Sequence, residues 1–342
     1  MEVGPPTHDM QGFDPDAAAT SATIFGLPHG EQDARVHLLG VPFEATCSYN
    51  RGTAGGPKAI LRGSHQVDLH DPQFGAVWQA GIWMHPGLAE LAQLNARASA
   101  PARNVIDAGG PRTPALRADA RRVDALARRR SQIVEQWTAA RLGSHIPGIV
   151  GGDHSAALGA IRAAAREHAL TVLHLDAHHD LRVAYEGFVE SHASIFDNVL
   201  RECPRVERVV QLGVRDYSAA ERVRANEDPR VSAHDWTAWN TQRFSGTSFA
   251  QLIGHALDEL SGRVWISFDI DALEPSLCPG TGTPVPGGFT FDEAAFVLER
   301  FAATGKQCCG FDLCEVGPGT WDGNVGARIL YKLCGLATSV SP

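Results

Sequence analysis

No stretch of this 342-residue chain approaches the roughly 18 consecutive apolar residues that a membrane span requires. The first residues, MEVGPPTHDMQGFDPDAAAT, lack both a positive n-region and an apolar h-region, so no secretory signal is visible and the cytoplasm is the expected address. The seven cysteines (Cys47, Cys203, Cys278, Cys308, Cys309, Cys314, Cys334) form no C-x-x-C pair and no zinc-finger spacing, and their number is odd. Reduced thiols are expected, not a disulfide framework. Excess positive charge is also missing: the formal net charge of -9 at pH 7 argues against a nucleic-acid partner, which needs a basic footprint over phosphates. The one basic run, RRVDALARRR from Arg121 to Arg130, alternates with apolar residues and reads as a solvated helix face. No internal repeat is visible.

What remains is a globular composition, 44% hydrophobic and 20% charged, able to bury a full core. Residues 1–34 are rich in Pro, Gly and Asp without sustained periodicity and read as an N-terminal extension; residues 35–342 read as a single catalytic domain. Within it, apolar runs begin at Val36, Ile146, Leu170, Arg208, Arg263 and Lys306, several apolar nearly throughout, as strands buried on both faces are. Helical patterns such as Ser155 to Ala169, Phe291 to Gly305 and Asn324 to Leu336 lie between them. This alternation predicts an α/β fold, three layers α/β/α around a mainly parallel sheet, with function at the carboxyl edge of the strands. The segment Leu88 to Pro114 reads as a loop or insertion before a long Arg-rich helix.

Chemistry concentrates at three strand ends. In HLDAHHDLR, strand alternation projects His174, Asp176, His178 and Asp180 to one side. SFDIDALEP repeats the device with Asp269 and Asp271, and GGDHS places His154 in a turn into a helix, where Asp153 and Ser155 read as helix caps. Four carboxylates and two imidazoles suit Mn, Fe, Ni, Co or Zn, and six ligands suit two ions bridged by carboxylates better than one tetrahedral ion. Without cations the cluster would be an uncompensated buried charge. His174 sits one step deeper in its strand and reads as a core or hydrogen-bonding residue, while His179 has the wrong parity. PGTGTPVPGG lacks the Lys-Ser/Thr of a phosphate loop and reads as a rigid loop beside the site.

Together GVPFEATCSYNRGTAGGPKAI, GGDHS, LDAHHDLRVAYEGFVESHAS, SFDIDALEP, PGTGTPVPGG and FDLCEV resemble the ureohydrolase (arginase and agmatinase) family, in the family's order and from Gly40 to about Leu336. The resemblance implies a binuclear manganese centre, two Mn²⁺ per chain with Ni²⁺ as the alternative, that hydrolyses a guanidinium group to urea and an amine. One ion would be bound by His154, Asp176, Asp180 and Asp269, the other by Asp176, His178, Asp269 and Asp271. His192, in SHAS, matches the family's proton donor, and Glu315 the glutamate that pairs with the guanidinium nitrogens; Leu313 and Glu315 share a face at their strand's end. The family usually has a small residue where His179 stands. Trimers or hexamers are implied too.

For the substrate, the loop after the first metal motif lacks the SGNLHG-type stretch with which arginases hold an amino-acid head, and DLRVAYEG followed by SHAS looks most like agmatinase-type members. Agmatine, cleaved to putrescine and urea, is the expected substrate, with Glu186 and Glu190 placed to attract its amine. Arg182, if it enters the pocket, favours a carboxylate-bearing compound: guanidinobutyrate, guanidinopropionate or formiminoglutamate. The tail WDGNVGARILYKLCG resembles proteins that include guanidine hydrolases. A single-zinc deacetylase-like amide hydrolase and a non-catalytic metal-binding relative are the rival readings.

Overall fold

Each of the six apolar runs folds as a strand, and two short edge strands join them. The computed structural model describes residues 12–340. In chain order the strands are β1 (Val36–Val41), β2 (Ile82–Met84), β3 (Ile146–Gly151), β4 (Leu170–Leu175), β5 (Val206–Leu212), β6 (Val231–His234), β7 (Arg263–Asp269) and β8 (Gln307–Cys314). They form one sheet of order β2-β1-β3-β8-β7-β4-β5-β6, parallel at every pairing. β2 and β6 were not read from the sequence, because β2 (IWM), though apolar, is only three residues long and β6 (VSAH) is partly buried at all four positions and shows no apolar run.

Alternating strand residues divide the core between two faces. One face packs Leu39, Val41, Ile149, Val172 and Trp265 against helices from the first two thirds of the chain. These include α2 (Ala89–Asp107), α3 (Pro114–Ala139), α4 (Leu158–Ala164) and α5 (Ile195–Glu202); α1 (Gly56–Gly63) lies on the opposite side. On that opposite face Leu38, Val150, Leu173, Ile266 and Phe268 meet Ile60 of α1 and the helices of the last third, which end in the helix Thr320–Val340. The three-layer α/β/α arrangement is that of the sequence reading. From β3 the chain passes to β4 across two positions that β7 and β8 later fill, so a crevice opens above the carboxyl ends of these four strands.

Two local expectations are corrected. Leu88 to Pro114 is mostly the helix α2, despite Pro101 inside it. Leu91, Leu94, Ala98, Ala102 and Val105 are buried at helical spacing, and packing on α3 outweighs the one hydrogen bond that proline removes. In the Arg-rich helix, Arg121, Arg122, Arg128 and Arg129 are solvated as expected, but Arg130 is completely buried. In the N-terminal extension, Ile24, Phe25 and Leu27 are core residues, with the Phe25 ring 4.8 Å from that of Tyr331; the reading of residues 1–11 lies outside the described residues. All seven cysteines are free, and no described helix is long and apolar enough to cross a membrane.

Near the amino edge of the sheet, buried His37 stacks on His145 at 3.8 Å, accepts from Arg141 Nε at Nδ1 (3.2 Å) and donates from Nε2 to the Ala34 carbonyl (3.2 Å). Burial, then His145 and Arg141, lowers its pKa to about 4. The unfolded histidine binds its proton near 6.5, so this stability is complete above that pH and is lost as pH falls towards about 4. Between pH 7 and pH 5 we expect this residue to contribute about 1–2 kcal/mol of lost unfolding free energy. Urea midpoints at both pH values check it: His37→Gln should flatten the dependence, and an unchanged slope would reject the assignment.

Candidate metal centre

Three strand ends deliver the side chains. After β3 the chain turns through Gly152, where a Cβ would collide with the Phe43 carbonyl, into the short 3-10 turn His154–Ala157. Asp153 occupies the N-cap position but makes no side-chain cap bond, so the cap reading of that residue is corrected; its carboxylate is used elsewhere. β4 stops at Leu175, so Asp176, His178 and Asp180 lie in the loop beyond it and strand parity does not align them. Local hydrogen bonds do. Asp176 Oδ1 accepts from the His178 N–H (2.6 Å), and Asp180, at a left-handed φ of 54°, accepts at its carbonyl from the Phe196 N–H (3.0 Å) in α5. After β7, Asp269 Oδ1 accepts from the Asp271 N–H (2.9 Å), and Asp271 Oδ1 accepts from the Ala177 N–H (3.0 Å), tying two loops together. Arg215 fixes the same turn, donating to the carbonyls of Asp271 (2.7 Å) and Val285 (2.9 Å).

His154 Nδ1 is the focus of the cluster. It lies 3.0 Å from Asp176 Oδ2, 3.0 Å from Asp180 Oδ2 and 3.3 Å from Asp269 Oδ2. The ring's other nitrogen, Nε2, is 2.9 Å from Ser267 Oγ, whose own proton goes to Asp312 Oδ1 (3.0 Å). Ser267 therefore accepts from Nε2–H, and Nδ1 presents a lone pair, buried and without a hydrogen-bond partner, to three carboxylates. Such an arrangement calls for a cation. The protonation equilibria say the same: burial disfavours charge on His154, yet Asp176, Asp180 and Asp312 outweigh it and raise its affinity for a proton well above normal. Burial, then Asp176, lifts Asp180 to about 7, and burial, then Asp271, raises Asp269.

A second group shares Asp176. His178 Nδ1 lies 3.1 Å from Asp271 Oδ2 and 3.4 Å from Asp176 Oδ1, and ligand atoms of Asp176, His178 and Asp271 fall within 4.8 Å of one another, as do those of His154, His174, Asp176 and Asp180. His174 belongs to that group by distance only. Gln211 Nε2 donates to its Nδ1 (2.9 Å), so its Nε2 carries the proton and donates to Asp176 Oδ2 (2.8 Å), leaving no lone pair for an ion. His179 turns the other way and donates from Nδ1 to Gln211 Oε1 (2.7 Å).

Glu315 follows the end of β8 in a left-handed conformation, φ 62°, which departs from the strand and so breaks the shared face expected with Leu313. Its Oε1 accepts from the His154 N–H (3.1 Å), and burial, then Asp153 and Asp271, raises its pKa well above the usual carboxylate value. Gly282 approaches it so closely that a Cβ there would lie 2.7 Å from Oε2. Asp180 and Glu315 are two of the four described non-glycine residues at positive φ, and both face the cluster, as strained backbone at functional sites does. Above it opens a cavity of about 310 Å³ lined by His178, Asp180, Arg182, Tyr185, His192 and Asp216 among others. A cavity of about 340 Å³ at the amino edge of the sheet contains none of these residues.

A model of the arginase family matches residues 34–335. The chain belongs to the arginase family. It is 29% identical over 315 residues to an N(1)-aminopropylagmatine ureohydrolase of Synechocystis, covering 89% of each chain, and 28% identical over 330 residues to a proclavaminate amidinohydrolase of Streptomyces clavuligerus, covering 91% of this chain and 92% of the relative. The fold matches an agmatine ureohydrolase of Thermoplasma volcanium with a TM-score of 0.69 at 22% identity, over 94% and 95% of the two chains.

In this arginase-family chain, Arg182 does line the cavity, but its Nε is 3.3 Å from Glu221 Oε2 and its guanidinium packs 4.8 Å over Tyr185. Glu190 is not a cavity residue; it is buried behind the site beside Arg130 and Arg162. Glu186 does not line the cavity either. Sequence reasoning missed Asp216 and Glu221 and the supports Ser267, Asp312, Gln211 and Arg215. Three of them had a legible signal: Ser267 stands two residues before Asp269 on the same strand, Asp312 lies in FDLCEV three residues before Glu315, and Glu221 completes the capping-box pattern begun by Ser218.

Proposed function

We propose that this ureohydrolase cleaves agmatine to putrescine and urea. The observation that carries the reading is the charge of the cavity mouth: Asp216 and Glu221 line it against one guanidinium, Arg182, itself already paired to Glu221, so a negative charge remains without counting Asp180, which goes to the metal. Agmatine carries a cation at each end, so an acid-lined cavity suits both. The name of the Synechocystis relative, an aminopropylagmatine ureohydrolase, supports a cationic tail.

His154, Asp176, Asp180 and Asp269 would hold one divalent ion and Asp176, His178, Asp269 and Asp271 the other, Mn²⁺ first and Ni²⁺ as the alternative; two such ions supply Lewis acidity that activates water. Glu315 orients the guanidinium by charge-assisted hydrogen bonds, keeping its carbon above the cluster. His192, buried at the cavity wall, protonates the departing amine. Tyr185, edge-on to the His192 ring at 5.5 Å, closes one wall against water.

The test is urea release by protein reconstituted with Mn²⁺ or with Ni²⁺, across agmatine, guanidinobutyrate, guanidinopropionate, arginine and free guanidine. Preferential release from agmatine is expected. Preference for guanidinobutyrate would mean that Arg182 leaves Glu221 to read a carboxylate, and preference for free guanidine that the cavity reads no tail.

A further inference from the structure

Behind the cavity lies a chain of buried polar groups that the reaction as described does not use. Arg130 in α3 sits 4.6 Å over the Phe43 ring and donates to Ser155 Oγ (2.5 Å) and Ser131 Oγ (3.0 Å), with Glu190 at 3.6 Å and Asp153 at 3.9 Å. Asp153, completely buried, accepts from Ser155 Oγ and, at Oδ2, from Thr46 Oγ1 (2.8 Å). Thr46 is also completely buried and touches His192 twice: Oγ1 accepts from the His192 N–H (3.2 Å) and lies 3.4 Å from its Nδ1.

A hydroxyl has a single proton to give. Asp153 is the stronger acceptor and would otherwise be left a buried oxygen without its bond, so the Thr46 proton goes there. Towards His192, Thr46 then acts only as an acceptor, and Nδ1 must carry a hydrogen. Nε2 is left for the cavity.

We propose that Thr46, anchored by Asp153 and Arg130, is a positioning residue that holds His192 in its Nδ1–H tautomer so that Nε2 is the atom that exchanges the catalytic proton. This rests on the reading of His192 as proton donor. As the C–N bond breaks, its electron pair stays on nitrogen and takes the proton from Nε2, and the imidazolium becomes the neutral Nδ1–H ring. Thr46 accepts from Nδ1–H before and after, so nothing at the buried end rearranges. In the other tautomer the neutral ring would reload at Nδ1, away from the cavity. Burial lowers the pKa of His192, as do His178 and His154, while Asp153 and Asp271 oppose them. Asp153 thus also favours the charged ring.

The experiment compares Thr46→Val, Thr46→Ser and His192→Ala in metal-reconstituted protein with agmatine, and records ring-nitrogen shifts of ¹⁵N-histidine-labelled protein loaded with Zn²⁺. Thr46→Val should lower kcat by about 10- to 100-fold, as loss of a buried orienting partner does, at unchanged KM and metal content. Thr46→Ser should recover to within about threefold, because it keeps the hydroxyl. The parent's His192 Nε2 should resonate as an unprotonated nitrogen at high pH, and Thr46→Val should change that. A kcat within about twofold of the parent in Thr46→Val, or a fall in KM, Tm or metal content that accounts for its loss, overturns the proposal. So does a parent ring protonated at Nε2, a measurement that stands even where Thr46→Val does not fold. If His192→Ala keeps its turnover, the reading of His192 as donor is what fails, and the nitrogen shifts still decide whether Thr46 sets the tautomer.

Discussion

Asp176→Ala is expected to leave the protein folded and almost without hydrolytic activity. Its two oxygens belong to both groups of the cluster, Oδ2 facing His154 Nδ1 at 3.0 Å and Oδ1 facing His178 Nδ1 at 3.4 Å. Asp269 is the other proposed bridge, but only Asp176 contributes ligand atoms to both close groups among the described residues, and the loops after β4 and β7 stay tied without its side chain through the bonds from Ala177 N–H to Asp271 and from Asp271 N–H to Asp269. Turnover should fall by at least the ~10²–10³-fold that follows loss of a single electrostatic donor to a transition state. The metal content of reconstituted protein should fall with it from about two per chain to one or fewer. Bound ions stabilise the folded state, so the rise in Tm on adding Mn²⁺ should shrink in the variant. Full turnover with two retained ions would remove Asp176 from the centre of the assignment.

How much of this was legible in the sequence depends on whether a residue acts through its neighbours in the chain or across the sheet. His154, Asp176, His178, Asp180, Asp269 and Asp271 stand next to apolar runs, and a strand's carboxyl end is where α/β sheets gather chemistry, so their proximity followed from the pattern. The geometric reason did not: alternation was expected to align Asp176, His178 and Asp180, whereas β4 ends at Leu175 and a turn aligns them instead. The register that sets Ser267 opposite Asp312, and so fixes the tautomer of His154, pairs residues 45 apart in the chain. No local period carries such information. Arg130 failed for a related reason, since a helix with five solvated arginines conceals a sixth whose partners, Asp153 and Glu190, come from two later loops.

The cavity mouth shows the same limit. Arg182 was readable as a residue near the metal motif, but its meaning turns on Glu221, 39 positions later, which also closes the capping box of the helix Ala219–Glu227 through Ser218. A carboxylate engaged in that cap is held in place whether or not substrate is bound, so Arg182 already has an ion-pair partner in the resting protein. This pairing is why the proposed substrate has a cationic tail and not a carboxylate one.

Glu315→Gln should cost almost as much as loss of a metal ligand while leaving the metals in place. The carboxylate is buried among like charges, Asp153 and Asp271, which push its pKa upwards, and the nearest hydrogen bond it accepts is from the His154 N–H. A guanidinium entering the cavity supplies the missing positive charge and two parallel donors, the pairing for which a carboxylate is suited. Glutamine keeps the shape and the bond from His154, and its own N–H₂ would point a donor at the substrate's donors. The expected loss in kcat/KM is about 10²–10³-fold, the equivalent of one or two charge-assisted hydrogen bonds of roughly 1.5–3 kcal/mol each. Because the guanidinium is cationic before reaction, much of the loss should be in KM. Two ions per chain should remain, since Glu315 lies outside both groups of candidate ligand atoms. A variant with near-parental kcat/KM would show that the cation is held elsewhere, and one that lost its metals would make Glu315 a support of His154 and not a contact of the substrate.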